Sequence, residues 1–268
     1  MTIGHTLIGN GDAKVMVLHG WFGDHAAFEP TFNYLDKDTF TYAFMDYRGY
    51  GKSKEMPGEH TMAEIAGDAI DLAEQLGWHD FHIVGHSMGG MAAQRIMLDI
   101  NDPARIQSVV AVTPVPACGV PFDEGTNELF TGAISNDENR RTILDFTTGN
   151  RNSGIWLDYM VEHSRVTTTE HAYGDYLTAW SKTDFSEDIK GNTTPVSVCI
   201  GEHDPAFTKD AMRQTYLEWL PNAELNVISN AGHYPMLETP VQMVTLMENF
   251  MKRYIDNENE TVNQEVTA

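Results

Sequence analysis

Three side chains in this sequence have the types and settings that nucleophilic chemistry requires: Ser87, His233 and Asp204. A serine hydroxyl is a poor nucleophile at neutral pH, so it needs a base to take its proton and an acid to orient that base. Ser87 lies in Gly85-His86-Ser87-Met88-Gly89-Gly90, between an apolar run at 81–84 and a helical pattern of Met88, Met91, Ala92, Arg95 and Ile96. A strand, a tight turn and a helix in that order expose the hydroxyl on a strained backbone, and glycines let strand and helix approach closely. The positive end of the following helix then lies under a developing oxyanion. His233, in Ala231-Gly232-His233-Tyr234-Pro235, follows the last strand-like run, on a loop able to reach back over a sheet edge. Asp204, in Gly201-Glu202-His203-Asp204-Pro205, follows the run before it, which places acid and base on neighbouring strand ends. Asp204 also suits a simple turn before Pro205, and Glu202 is the alternative acid. An oxyanion needs two backbone N–H donors. Met88, directly after the serine, is one; Trp21 in His19-Gly20-Trp21-Phe22-Gly23 is the other, with Phe22 as the alternative. His19 reads as a group that shapes this loop.

For these groups to meet, several strand ends must share one edge. Apolar runs at 14–18, 41–45, 81–84, 106–112, 196–200 and 224–228 read as strands, most of them buried on both faces. A short strand is expected at 2–7, and partial helix at 26–35. Thr61 and Glu64 form a capping box for a helix whose Ile65, Ala69, Leu72 and Leu76 share one face, and Gly77 ends it. Helices are also expected from Ser87 to about Ile100, over 208–220, and after a Thr239-Pro240-x-Gln242 box. Strands alternating with helices predict an α/β fold, a mostly parallel central sheet with helices on both faces.

The rhythm breaks after Thr113. Helical candidates at 127–134, 137–146, 154–165 and 170–182 replace the strands, so 114–192 is expected to be a helical cap inserted between core strands, with 1–113 and 193–255 as the core. Over Ser87, such a cap would offer Phe130, Trp156, Tyr159 and Trp180 to a substrate, beside Phe22 and Met236 from the core. Residues 256–268 are polar and acidic and read as a disordered tail. With 41% apolar residues the chain has enough for a sizeable core. Its net charge of −22 argues against nucleic acid and anionic membranes as partners. The N-terminus lacks the pattern of a leader, no run is long enough to span a membrane, and a cytoplasmic location is expected. Cys118 and Cys199 fit neither a redox nor a metal spacing, and no metal or cofactor is expected.

His19-Gly20-Trp21, Asp46-x-Arg48-Gly49-x-Gly51-x-Ser53, Gly85-His86-Ser87-Met88-Gly89-Gly90, Gly201-x-x-Asp204 and Gly232-His233 occur here in the order of the α/β-hydrolase fold. The chain resembles capped serine hydrolases of that superfamily, above all small bacterial carboxylesterases and cofactor-free haloperoxidase-like (perhydrolase) members. The resemblance implies a structural role for Arg48 and, with Thr113 and Pro114 at the family's other acid position, favours Asp204. Ser87 in place of aspartate argues against haloalkane dehalogenases and epoxide hydrolases. His86 departs from the Asn that usually precedes the serine in carbon–carbon bond hydrolases. The implied activity is hydrolysis of a small, moderately apolar carboxylic ester through an acyl-enzyme on Ser87. A lactonase, carbon–carbon bond hydrolase or perhydrolase with the same triad, or a ligand receptor with slow turnover, is the alternative.

Overall fold

Continuous apolar runs bounded by Gly, Asp and Pro are what a sheet covered on both faces requires. The computed structural model of the chain describes residues 2–255, so the tail expected at 256–268 lies outside the described residues. Seven strands, β1 (His5–Gly9), β2 (Ala13–Leu18), β3 (Phe40–Met45), β4 (Phe81–His86), β5 (Ile106–Val112), β6 (Val196–Gly201) and β7 (Ala223–Ile228), form one sheet in the order β1-β3-β2-β4-β5-β6-β7. Only β1 runs antiparallel, on β3. Leu18 lies beside Gly85, Gly85 beside Ala111 and Val112 beside Cys199, so the carboxyl ends of the inner strands make a single edge. In sheets of this kind ligands sit outside that edge.

Helices α1 (Met62–Gln75) and α2 (Met88–Asp99) follow β3 and β4. Between β5 and β6 the chain makes α3 (Glu124–Gly132), α4 (Asp137–Thr147), α5 (Gly154–Val166), α6 (Glu170–Lys182) and the short α7 (Ser186–Ile189). Side-chain oxygens of Asp123, Asn136, Ser153 and Thr169 cap the first four. Buried Arg140 on α4 binds them together: it donates to the Ala133 and Ile134 carbonyls at the end of α3 and to Ser164 Oγ on α5, and its guanidinium lies 4.0 Å from the Tyr173 ring of α6. Carbonyls at a helix C-terminus are a favourable setting for a buried cation. After β6 come α8 (Lys209–Arg213) and α9 (Tyr216–Trp219), and after β7 come α10 (Pro235–Glu238) and α11 (Pro240–Met251). Glu248 of α11 accepts from Asp36 N–H and Tyr42 O–H, which fastens this last helix to β3 and the loop before it.

Four local expectations are corrected. The first strand is His5–Gly9 rather than 2–7, because Gly4 is held sideways by Ser53 Oγ on its N–H and by Asp46 N–H on its carbonyl. The helix expected over 208–220 is two short ones: Thr215 Oγ1 bonds back to the Ala211 carbonyl, and its backbone leaves the helical region between them. The partial helix at 26–35 is a 3₁₀ turn, His25–Thr31, capped by Asp24. Thr239 ends α10 as well as preceding α11, and its buried hydroxyl caps nothing. No described helix is long and apolar enough to cross a membrane.

His82 on β4 is fully buried, with Nδ1 2.8 Å from Ser108 Oγ on β5, and burial holds its imidazole at about 4 against an ordinary 6.5. The unfolded chain therefore takes up this proton first as the pH falls. The contribution to stability is complete above pH 6.5 and is lost as the pH drops toward 4. We expect His82→Asn to lose less stability than the parent between pH 7 and pH 5, by about 2 kcal/mol in urea titrations. Equal losses in both proteins would refute this.

Candidate active site

Ser87 sits between β4 and α2 with φ +54, a conformation that L residues rarely adopt. The flanking glycines make the turn possible. A Cβ on Gly85 would strike the Gly89 carbonyl, and one on Gly89 would strike the carbonyls of Leu18 and His19. The turn is pinned on both sides, since Ser87 N–H donates to the Val112 carbonyl and its own carbonyl accepts from Gly90 and Val115.

His233 Nε2 lies 3.0 Å from Ser87 Oγ, and His233 Nδ1 lies 2.8 Å from Asp204 Oδ2. A carboxylate only accepts, so Nδ1 carries the proton and Nε2 of the neutral ring is left to accept from the serine. All three residues are buried. The other oxygen of Asp204 accepts from the N–H groups of Ala206 and Phe207. The carboxylate thus holds its own turn and the imidazole at once. Glu202, the alternative acid, turns to the Asn230 N–H.

The His233 backbone is held from three directions. Its carbonyl accepts from His86 Nε2 at 2.8 Å and from Thr113 Oγ1 at 3.0 Å, and its N–H donates to the Thr147 carbonyl at the end of α4. Burial keeps His86 well below the usual imidazole range, so it stays a neutral donor.

The loop after β2 brings Trp21 beside the serine. Its carbonyl accepts from Tyr50 O–H, its indole N–H donates to the Tyr173 carbonyl, and its ring stacks on Tyr173 at 4.0 Å. Among the described residues the N–H groups of Trp21 and Phe22 meet no protein acceptor. The N–H of Met88, at the first position of α2, precedes any intrahelical partner. His19 donates from Nδ1 to the Gly20 carbonyl, accepts from Tyr47 N–H and stacks on the Tyr47 ring, a loop-shaping set of contacts.

An apolar cavity with about 510 Å³ of atom-free space, part of it open to solvent, lies against Ser87 and His233. Of the six residues expected at a substrate, Phe22, Phe130 and Trp180 line it. Trp156, Tyr159 and Met236 do not, which corrects the expectation. The buried face of α5 carries Leu157, Met160 and Ser164, so Trp156 and Tyr159 fall to its sides: Trp156 meets the edge of Tyr234, and Tyr159 is exposed and stacked on His163. Met236 is fully buried in α10, away from the cavity. Sequence reasoning missed Val115, Val120, Phe122, Ile143, Thr147, Ala206, Phe207 and Tyr234, which complete the lining. Phe207 and Tyr234 were within reach, being close in sequence to Asp204 and His233; Phe207 stacks on the His233 ring. Val120 and Phe122 lie in an irregular stretch with no periodicity to read.

A family model described as alpha/beta hydrolase fold matches residues 14–240. The chain is 30% identical over 241 residues to the dihydrolipoyllysine-residue acetyltransferase component of an acetoin cleaving system from Cupriavidus necator, covering 86% of this chain and 61% of that one, so it spans less than two thirds of that relative. It is 26% identical to a pimeloyl-[acyl-carrier protein] methyl ester esterase of Legionella pneumophila, over 91% of this chain and 97% of the relative. Among solved structures a bromoperoxidase from Bacillus anthracis superposes with a TM-score of 0.81 at 23% identity, covering 92% of this chain and 94% of that one.

Proposed function

The chain belongs to the alpha/beta hydrolase fold family, and on that premise we propose that it hydrolyses small, moderately apolar carboxylic esters through an acyl-enzyme on Ser87. The observation that carries this reading is the unbroken relay from Ser87 Oγ through His233 to Asp204, at 3.0 and 2.8 Å, opening into an apolar cavity. Ser87 Oγ attacks the ester carbonyl as His233 Nε2 takes its proton. Asp204 steadies the imidazolium. The N–H groups of Trp21 and Met88 hold the oxyanion, and His233 gives its proton to the departing alkoxide. Water then enters and attacks the acyl group as His233 takes its proton, and the acid leaves as His233 returns that proton to Ser87 Oγ.

We assign 114–192 as a cap over the core. Phe130 of α3, Ile143 and Thr147 of α4, and Trp180 of α6 reach the cavity from that stretch, which supports assigning substrate choice to it. The Legionella relative is by name a methyl ester esterase, which agrees with ester chemistry. Perhydrolysis is the second reading. It is favoured by Trp21 and Met88 beside Ser87 and by the bromoperoxidase neighbour; peroxide would replace water in the second half-reaction.

The test uses purified protein with nitrophenyl acetate, butyrate and octanoate, a lactone, and a short carboxylic acid with hydrogen peroxide. Saturable ester hydrolysis with the shorter chains preferred is expected. Absence of ester turnover above the uncatalysed rate would sink the proposal, and peracid formation outrunning ester hydrolysis would select the second reading.

A further inference from the structure

Away from Ser87, His60, His171 and Asp175 each bring one ligand atom to within 4.8 Å of the others. His60 lies in the loop before α1, and its partners are one turn apart on α6. We propose that these three side chains bind one divalent transition-metal ion of the zinc type, which ties the inserted helices to the loop ahead of α1. Two imidazoles and a carboxylate are a donor set for zinc, whereas magnesium and calcium take oxygens. His60 Nδ1 is 2.8 Å and His171 Nε2 is 3.4 Å from the same oxygen, Asp175 Oδ2. Ligand atoms around a tetrahedral zinc stand about 3.3 Å apart, given metal–ligand bonds of about 2.0–2.2 Å, so small side-chain movements suffice.

Two of the three ligands are set in place. The His60 ring is buried and packs on Tyr176 at 5.2 Å, and its backbone, at φ +54, is held by Glu64 Oε2 on its N–H. Here the expected capping box is half rearranged: Thr61 caps Glu64 N–H, but the Glu64 carboxylate turns to the N–H groups of Glu59 and His60. Asp175, at the start of the second turn of α6, accepts from no backbone N–H among the described residues, so its oxygens are available. His171 is exposed, and with His60 it borders a surface groove past Gly49, Pro57 and Gly58 that gives an ion a path in. A second cluster, Asp24, His25 and Asp46, is less suited, because its carboxylates are committed to the N–H groups of Ala26, His25 and Lys52. No sequence spacing announces the proposed site, since His60 and Asp175 are 115 positions apart. That departs from the expectation of no metal.

The experiment titrates ZnCl₂ into chelator-treated full-length protein by calorimetry and follows Tm alongside. One equivalent bound is expected, with Tm raised by about 5 °C or more at a hundredfold excess over Kd. His171→Ala and Asp175→Asn alter exposed or half-exposed side chains and should keep the parent Tm in chelator. Each should weaken Zn²⁺ binding at least about tenfold and remove most of the Tm rise, by analogy with the loss of supporting contacts at metal sites. No binding heat and no Tm change would leave the three as a plain hydrogen-bonded cluster and overturn the proposal. So would Zn²⁺ binding that survives both substitutions. Neither readout depends on hydrolysis, so the inference stands or falls apart from the esterase reading.

Discussion

Replacing Ser87 by alanine is expected to leave a folded chain whose ester turnover falls by about 10⁴–10⁶-fold, the scale on which loss of a serine nucleophile acts. The fold should tolerate the change. The hydrogen bonds that pin the turn, to Val112 and from Gly90 and Val115, all belong to the backbone, and alanine carries no more bulk at the positive φ than serine does. His233 keeps Asp204. What disappears is the hydroxyl poised at His233 Nε2. On the proposed reading, the residual rate would report what the Trp21 and Met88 N–H groups achieve with water alone. The measurement is kcat on a nitrophenyl ester with circular dichroism as the check on folding, together with labelling by a fluorophosphonate. A folded variant that keeps more than about a hundredth of the parent rate would show the nucleophile to be elsewhere.

Asp204→Asn is expected to cost about 10⁴ in kcat with little change in KM. The reason lies in the two tasks of that carboxylate. One oxygen receives the N–H groups of Ala206 and Phe207, and the other receives His233 Nδ1–H. An asparagine has one oxygen. If it stays with the turn, its NH₂ faces His233 and forces the imidazole proton onto Nε2, where it blocks transfer from Ser87. If it turns to His233, its NH₂ confronts two donors in the turn. Glu202→Gln is the matched control. Its carbonyl can still accept from Asn230 N–H, and activity should stay within about twofold, as for surface substitutions generally. Equal losses in the two variants would return the acid to an open question between them.

The sheet was readable because most of its strands are buried on both faces and appear as unbroken apolar runs. The meeting of Ser87, His233 and Asp204 was readable because a Gly-x-Ser-x-Gly turn and two strand-end loops each carry one of them. What failed to read had a local physical cause. Residue type announced that Trp156 and Tyr159 were large and aromatic, but not which side of α5 they occupy once Leu157 and Met160 take the buried face. Thr215 looks like an ordinary helix residue until its hydroxyl bonds backwards, and Thr239 looks like a plain helix cap until a second helix ends at the same place. The cavity wall at Val120 and Phe122 belongs to a stretch whose shape comes from its neighbours, as when Ser181 supplies the carbonyl that holds Val120 N–H.

The Thr147 carbonyl that receives the His233 N–H bears on how this scaffold can be re-engineered. Gly232 adds to it, since a Cβ there would collide with the Thr148 backbone. The last turn of α4 is therefore a splint for His233, the proposed base, as well as a wall of the cavity. Transplanting the inserted helices from another hydrolase to change substrate range would remove that splint along with the wall. A graft that keeps residues 147–148 and their approach to Gly232 is expected to change specificity alone, and one that discards them to reset the position of His233 too. On the proposed reading, the segment that would choose the substrate and the segment that would perform the reaction are not interchangeable parts.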